Sequence, residues 1–331
     1  MPVPPLDIPA VEAALESRLR RRLDEVDKRL AAAVESEAPF VAQAARHLLD
    51  AGGKRFRPLL VLLGSEFGEA ESPGVIPAAL VVELTHVATL YHDDVMDEAA
   101  LRRGAPSANA RWDNTVAILT GDWLFARASD IVADLGPEAV RLQARTFSRL
   151  VQGQIRESRG PRPGDDPLEH YLSVVEDKTG SLIATSVLFG AKLAGAAEPV
   201  QQALFAFGGR LGTAFQLADD IIDVTSEPAE SGKTPGTDLR EGIATLPALL
   251  ALQSTDPADA QLQRLLRADL TDDTLHAEAL LLLRRHTAVD AARAFVARRA
   301  DEARTHLQGV PDTSARAALA ALCDLVVTRS G

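Results

Sequence analysis

The chain has 331 residues, of which 46% are hydrophobic and 25% charged, so it can bury the core of an ordinary globular protein. Its net charge of −12 argues against nucleic acid as the main partner, because duplex binding requires a basic face. The single cysteine, Cys323, excludes an intrachain disulfide framework and predicts a reducing, cytoplasmic location. No apolar run approaches the about 18 residues of a membrane span, and no signal-peptide pattern opens the chain.

Nearly every segment after the N-terminus is predicted to be helical. Residues 1–9 are rich in proline and are expected to form a flexible tail. No later segment shows the period-two alternation of a strand, so no strands are predicted. The predicted helices cover residues 10–34, 38–51, 55–67, 75–98, 109–134, 137–157, 167–195, 198–225, 244–254, 258–268, 272–287, 289–308 and 312–329. No linker is long enough to separate two domains, so residues 10–331 are expected to form a single domain.

Two copies of an acidic motif carry the sharpest chemical signal. Each copy lies near the C-terminal end of a long apolar helix, and the copies comprise Asp93, Asp94 and Asp97, and Asp219, Asp220 and Asp223. Residues i and i+4 share a helix face, so the first and last carboxylates of each copy are paired. Such carboxylates repel each other and oppose the helix dipole. We therefore predict that both motifs bind a hard cation, most naturally Mg²⁺ held together with substrate phosphates. The alternative, a solvated acidic helix end, is disfavoured because each motif follows an apolar stretch.

Basic residues cluster beside small residues at four places. These are residues 52–58 (GGKRFRP), 102–104 (RRG), 178–180 (KTG) and 232–234 (GKT). The first cluster opens a predicted helix, and a helix N-terminus with lysine and arginine is a typical anion site. Each cluster alone fits a surface basic pair. Beside two metal motifs, in a chain of negative net charge, the four together predict binding of more than one diphosphate.

The combination resembles the trans-isoprenyl diphosphate synthases of the polyprenyl synthetase family. The resemblance covers roughly residues 40–330 and rests on residues 52–58, 83–104, 121–125 (GDWLF), 178–180, 215–223 (FQLADDIID) and 232–242 (GKTPGTDLREG). It implies an all-α fold, a single-domain helical bundle around a central cavity, and a homodimer. It also implies a reaction that condenses isopentenyl diphosphate with an allylic diphosphate.

The resemblance further implies a role for each motif residue. About three Mg²⁺ ions would be held by Asp93, Asp97 and Asp219, with Asp94, Asp220 and Asp223 in support. The allylic diphosphate would contact Arg102, Lys178 and Lys233, in a site that Thr179 and Gln216 line. The diphosphate of isopentenyl diphosphate would be bound by Lys54, Arg57, His86 and Arg103. One position departs from the family pattern, because Ile243 stands where a second lysine often occurs; Arg240 is a candidate substitute.

Product length is expected to depend on the residues that precede the first motif. In this family, bulky residues four or five positions before it stop chain growth, and here those positions hold Thr89 and Ala88, with Thr85 a turn further down. A tunnel without aromatic residues there predicts a long all-trans product of about C30 to C50, suited to a quinone side chain. A helix–helix contact is the alternative role of Ala88.

Other functions remain open at the level of sequence. A short-chain geranylgeranyl diphosphate synthase and a subunit of a heteromeric synthase both fit the motifs. A terpene cyclase would not need Lys54, Arg57 and His86. No membrane span is predicted, although the lipid product favours transient membrane contact.

Overall fold

The computed structural model describes residues 12–226 and 235–329. The chain divides into two compact units. Unit 1 takes the described residues of Met1–Ser148, Leu182–Gly208 and Leu307–Leu319; unit 2 takes those of Arg149–Ser181, Gly209–His306 and Ala320–Gly331. The single domain expected over residues 10–331 stays a prediction. The predicted tail at residues 1–9 and the predicted site residue Lys233 lie outside the described residues.

Unit 1 is organised around one long apolar helix, α4. Its helices are α1 (Ala13–Ala33), α2 (Pro39–Asp50), α3 (Phe56–Ser65), α4 (Val75–Met96), α5 (Ala108–Arg111), α6 (Asn114–Ala133), the first part of α7 (Pro137–Arg159), most of α9 (Ser181–Leu193), the start of α10 (Glu198–Thr225), the 3₁₀ turn Leu307–Gly309 and the start of α16 (Ser314–Arg329). Helix α4 packs against α1, α3 and α6. Among the described helices it is the one long and apolar enough to cross a membrane, but 72% of its apolar window is buried in the protein, as in a core helix.

Unit 2 contains the remaining helices. They are the second part of α7, α8 (Pro167–Val175), the π-helical segment Glu176–Gly180, the rest of α10, α11 (Thr237–Arg240), α12 (Leu246–Leu252), the 3₁₀ turn Pro257–Asp259, α13 (Ala260–Leu265), α14 (Asp273–Arg285), α15 (Thr287–His306) and the end of α16. Helix α12 packs against α8 and α15. The all-α prediction is confirmed.

The prediction of no strands is wrong at one place. Strands β1 (Leu101–Arg102) and β2 (Ala105–Pro106) pair antiparallel. They are joined by Arg103 and Gly104, whose φ angles of 55° and 75° are those of a tight hairpin turn. Two-residue strands are too short to show alternation in the sequence, so the hairpin left no periodic signal.

Two predicted helices are also divided. A short helix, α5, precedes α6, which begins afresh because the Asp113 side chain accepts a hydrogen bond from Val116 N at 2.8 Å. The helix predicted over residues 167–195 widens into the π-helical segment Glu176–Gly180. Such π-helical turns occur often at functional sites.

Candidate active site

The first acidic motif closes helix α4 in unit 1, and its three carboxylates differ in burial. Asp93 is half-buried and Asp97 is exposed, whereas Asp94 is fully buried. Oδ1 of Asp94 accepts a hydrogen bond from Arg102 Nε at 2.6 Å. Within the described part of the chain, its buried Oδ2 has no hydrogen-bond partner. Burial raises the pKa of Asp94, while the Arg102 guanidinium opposes the rise. Asp94 thus ties the hairpin to α4, and its unpaired oxygen fits a cation at the motif.

The hairpin also directs Arg103 back onto the glycine-rich loop before α3. Arg103 Nη1 donates to the carbonyl oxygen of Leu48 at 2.7 Å and to that of Gly52. A Cβ at Gly53, where φ is 149°, would lie 3.0 Å from the Arg103 guanidinium carbon. The loop therefore needs glycine at position 53, both for its backbone angle and for room. Arg103 is brought to residues 52–58, as the predicted grouping requires.

Arg57 and His86 lie with Arg103 in a half-buried positive cluster of unit 1. The Arg57 Nε is buried without a hydrogen-bond partner among the residues that the structure describes. Burial lowers the pKa of Arg57 to about 10; Glu83 opposes this change and Arg103 adds to it. Burial also holds the pKa of His86 well below its usual range, and the nearby guanidinium groups, Arg57 first, lower it further. His86 is therefore neutral at pH 7, and an anion is the group that would relieve the cluster.

The neighbouring Arg55 has a different environment. Its Nε lies 2.7 Å from Asp27 Oδ1, and its Nη1 lies 3.1 Å from Oε1 of the buried Glu83. Arg55 is thus neutralised within the fold, while Lys54 is exposed. Of the three cations in residues 52–58, Arg55 is therefore structural, whereas Lys54 and Arg57 are suited to binding a ligand.

The three residues considered for product length are all buried on α4. Thr89 Oγ1 donates to the carbonyl oxygen of His86 at 2.8 Å. Ala88 lies against α6, because a Cβ added at Gly121 would come within 3.0 Å of the Ala88 carbonyl oxygen. Thr85 Oγ1 is 3.4 Å from Gln143 Nε2 of α7. Thr85 lies about 12 Å from Asp93 along the axis of α4. The geometry puts Ala88 in a helix contact and leaves its role in product length a prediction.

The second acidic motif lies on α10 in unit 2. Asp220 is buried; its Oδ1 accepts from Gln216 Nε2 at 3.0 Å, and its Oδ2 accepts from the Tyr171 hydroxyl. Burial raises the pKa of Asp220 well above its usual range, and the carboxylates of Asp238, Asp223 and Glu157 raise it further. So dense a negative cluster is suited to a divalent cation.

The outer carboxylates of this motif are in polar contact with two different elements. Asp223 accepts from the backbone N–H groups of Thr237 and Asp238 at the start of α11, each at 3.3 Å. Asp219 Oδ1 accepts from Arg329 Nη2 at 2.9 Å. In the described ranges, no group of three or more histidine, cysteine, aspartate or glutamate side chains is arranged so that it could hold a metal ion by itself. An open site, completed by phosphate oxygens, is the arrangement that Mg²⁺ usually has.

Lys178 and Thr179 lie in the π-helical segment of unit 2. Lys178 Nζ donates to Glu157 Oε2 at 2.5 Å, and Thr179 Oγ1 donates to Gln216 Oε1 at 3.0 Å. Gly153 of α7 permits this approach, because a Cβ there would lie 2.7 Å from Lys178 N. Gln216 therefore links Thr179 to Asp220 by hydrogen bonds, and Lys178 adjoins Thr179 in the same segment of unit 2.

Four polar residues of this region were missed by sequence reasoning: Tyr171, Glu157, Asp238 and Arg329. Tyr171 is one of only two tyrosines in the chain, which is a weak signal. Asp238 lies within residues 232–242 but was given no role, and Glu157 and Arg329 lie outside all the motifs. Arg240 is directed away from the motif, since its Nη1 lies 2.8 Å from Asp273 Oδ1.

Comparison with known proteins shows the family of the chain. The polyprenyl synthetase family model matches residues 38–283. A nonaprenyl diphosphate synthase of Mycobacterium tuberculosis is 48% identical over 97% of this chain and 96% of the relative. Component 2 of a Geobacillus stearothermophilus heptaprenyl diphosphate synthase is 40% identical over 92% of this chain and 95% of that relative.

A solved relative adds a structural match. The geranylgeranyl pyrophosphate synthase of Corynebacterium glutamicum, in complex with calcium and isoprenyl diphosphate, is 46% identical. The match covers 97% of this chain and 98% of that chain, with a TM-score of 0.86. Sequence and fold agree along nearly the whole length of the relatives, so the chain belongs to the polyprenyl synthetase family of prenyltransferases.

Proposed function

We propose that the chain condenses isopentenyl diphosphate with an allylic diphosphate, in the presence of Mg²⁺, to make a long all-trans polyprenyl diphosphate. The observation that carries the chemistry is the contrast between two kinds of charged site. Unit 1 holds a half-buried cationic cluster whose charge is only partly balanced, and each unit holds an acidic motif whose middle carboxylate is buried. A diphosphate fits the first kind of site directly and the second through divalent ions.

Asp93, Asp97 and Asp219 are proposed to hold Mg²⁺, with Asp94, Asp220 and Asp223 supporting them. When bound, Mg²⁺ stabilises the negative charge that develops on a departing diphosphate. Asp94 anchors Arg102 at the motif through its 2.6 Å hydrogen bond, so that the guanidinium is oriented before substrate arrives. Gln216 connects Thr179 with Asp220 and orients the carboxylate in the same way.

Lys178, Thr179 and Lys233 are proposed to bind the allylic diphosphate with Arg102. Lys178 is held by Glu157 in the structure and is only partly buried, so a diphosphate can replace this partner. Lys54, Arg57, His86 and Arg103 are proposed to bind the diphosphate of isopentenyl diphosphate. No described side chain is placed as an evident general base, and the departing diphosphate is the proposed proton acceptor.

A long product, about C30 to C50, is proposed because Thr85, Ala88 and Thr89 are all small. The identity to the M. tuberculosis nonaprenyl diphosphate synthase supports this length. Two alternatives have support of their own. The C. glutamicum relative favours a geranylgeranyl diphosphate synthase, and the G. stearothermophilus relative favours a subunit of a heteromeric enzyme.

A homodimer is proposed from the apolar side chains that remain exposed. On α6, Leu119 is 60% and Ile118 43% exposed. On the part of α7 in unit 2, Val151 and Ile155 are also exposed, and their spacing of four residues places them on one helix face. Apolar faces of this kind mark protein–protein contacts. A cytoplasmic location and transient membrane contact by the lipid product stay predictions.

One incubation tests these proposals together. The purified chain alone is given farnesyl diphosphate, labelled isopentenyl diphosphate and Mg²⁺, and the products are weighed by mass spectrometry. Products of C30 or longer are expected. A product that stops at C20 would favour the geranylgeranyl synthase, and no product without a second protein would favour the heteromeric enzyme.

A further inference from the structure

Arg329, at the C-terminal end of α16, contacts the second acidic motif. Its Nη2 donates to Asp219 Oδ1 at 2.9 Å, and its guanidinium carbon lies 4.9 Å from the centre of the Phe215 ring. The side chains of Arg329 and Asp219 are 28% and 39% exposed, so ligands can reach both. No sequence motif considered above includes Arg329.

The surroundings of this pair point to a ligand. Asp219 is followed on α10 by Asp220 and, one turn later, by Asp223, which accepts hydrogen bonds from the backbone N–H groups of Thr237 and Asp238. A guanidinium at Asp219 supplies positive charge where a metal ion is proposed to bind. A partly exposed ion pair adds little to stability, so anchoring of α16 is a weak explanation for it. Phe215, one helical turn before Asp219, holds the guanidinium at the motif by a cation–π contact.

Arg329 can also supply the cation that is missing at Ile243, where a second lysine often occurs in the family. Of the two arginines concerned, Arg240 is held away from the motif by Asp273 and by the carbonyl oxygen of Thr271, at 2.8 and 3.2 Å. Arg329 is at the motif. Guanidinium is the side-chain group best suited to bidentate contact with phosphate oxygens.

We propose that Arg329 is a diphosphate-binding residue of the second acidic motif. Its guanidinium balances Asp219 in the structure, and it would contact the diphosphate once Asp219 serves as a ligand to a divalent ion. The proposal rests on the proposed function, because it requires a diphosphate at this motif.

Isothermal titration calorimetry on the full chain tests this exchange. Mg²⁺ is titrated alone, and inorganic pyrophosphate is then titrated at saturating Mg²⁺. In Arg329→Ala, Mg²⁺ alone should bind more tightly, by up to about fivefold, because a competing cation is gone. Pyrophosphate should bind about tenfold more weakly or worse, because a charge-assisted contact is lost. Arg329→Lys should recover part of the pyrophosphate affinity, and Arg329→Gln should recover none.

Arg304→Ala is the matched control. Arg304 of α15 pairs with Asp324 of α16, so Arg304→Ala removes a comparable partly exposed ion pair of α16 without touching Asp219. This control should keep the parent's affinity for both probes, and melting curves of all variants show whether they are folded. Unchanged pyrophosphate affinity in Arg329→Ala, in a parent that binds pyrophosphate, overturns the assignment of Arg329 alone. A parent that binds no pyrophosphate with Mg²⁺ overturns the proposed function instead.

Discussion

Arg57 offers a test in which stability and ligand binding change in opposite directions. Its Nε is buried without a partner among residues 12–226 and 235–329. Burial lowers the pKa of Arg57 from its ordinary value to about 10, which corresponds to roughly 3 kcal/mol against the charged side chain in the folded protein. Arg57→Met removes the charge and keeps much of the volume. It should therefore raise the free energy of unfolding by about 1–3 kcal/mol.

The same substitution should damage the isopentenyl diphosphate site. Loss of a charge-assisted contact should raise the KM for isopentenyl diphosphate about tenfold or more, with the KM for farnesyl diphosphate little changed. Lys54→Ala should share the kinetic defect without the gain in stability, because Lys54 is exposed. Urea unfolding of the ligand-free protein and steady-state kinetics with each substrate varied are the two measurements.

Arg55→Met is the matched control for the unfolding measurement. It lies two residues away but leaves the buried Glu83 without its ion-pair partner. Stranding a buried charge costs about 3–5 kcal/mol, so this variant should be destabilised. A destabilised Arg57→Met would refute the reasoning about the unpaired charge. An unchanged KM for isopentenyl diphosphate would refute the assignment of the cluster.

Three further predictions concern pH, product length and assembly. The lowered pKa of His86 means that the folded protein binds fewer protons than the unfolded chain, so stability falls as pH drops below about 6.5. His86→Gln should make this fall smaller in melting temperatures measured from pH 8 to 5.5. The same fall in the parent and the variant would contradict the prediction. If Ala88 and Thr89 line the tunnel, Ala88→Phe and Thr89→Phe should shorten the product to about C15 to C20, as measured by mass spectrometry. Products of unchanged length, with Ala88→Phe destabilised by about 1–3 kcal/mol, would show that Ala88 is only a helix contact. Leu119→Glu should convert a dimer to a monomer in light scattering, and an intact dimer would exclude this part of α6 from the interface.

Much of the fold was predictable because it is carried by helical periodicity. The ends of α4 and α10 agree with the sequence to within two residues, since long apolar stretches and flanking turn residues define them. The β1–β2 hairpin was not predictable from periodicity, since each of its strands has two residues. The π-helical segment Glu176–Gly180 was missed because its composition is that of an ordinary helix.

The site was predictable where motifs are contiguous and not where contacts are long-range. Gln216 was predicted to line the allylic site, and it donates to the Asp220 carboxylate, which lies one helical turn later. Nothing in the local sequence indicates that Tyr171 lies on Asp220, or Arg329 on Asp219, because those contacts join residues 49 and 110 positions apart. Arg55 and Arg57 look alike in the sequence, and only the positions of Asp27 and Glu83 separate their roles.

Because the two kinds of site differ in charge, they should also differ in whether they need a divalent ion to bind a diphosphate. The cluster of Arg57, His86 and Arg103 carries positive charge at an unpaired guanidinium, so it should bind a diphosphate without any divalent ion. The acidic motifs repel a diphosphate until a divalent ion neutralises them, because their carboxylates outnumber the cations beside them. Calorimetry with inorganic pyrophosphate should therefore show one site per chain in EDTA and a second site once Mg²⁺ is added. Asp219→Asn should lose the second site and keep the first, while Arg57→Met should do the reverse. Equal dependence of both sites on Mg²⁺ would contradict this difference in charge between the two sites.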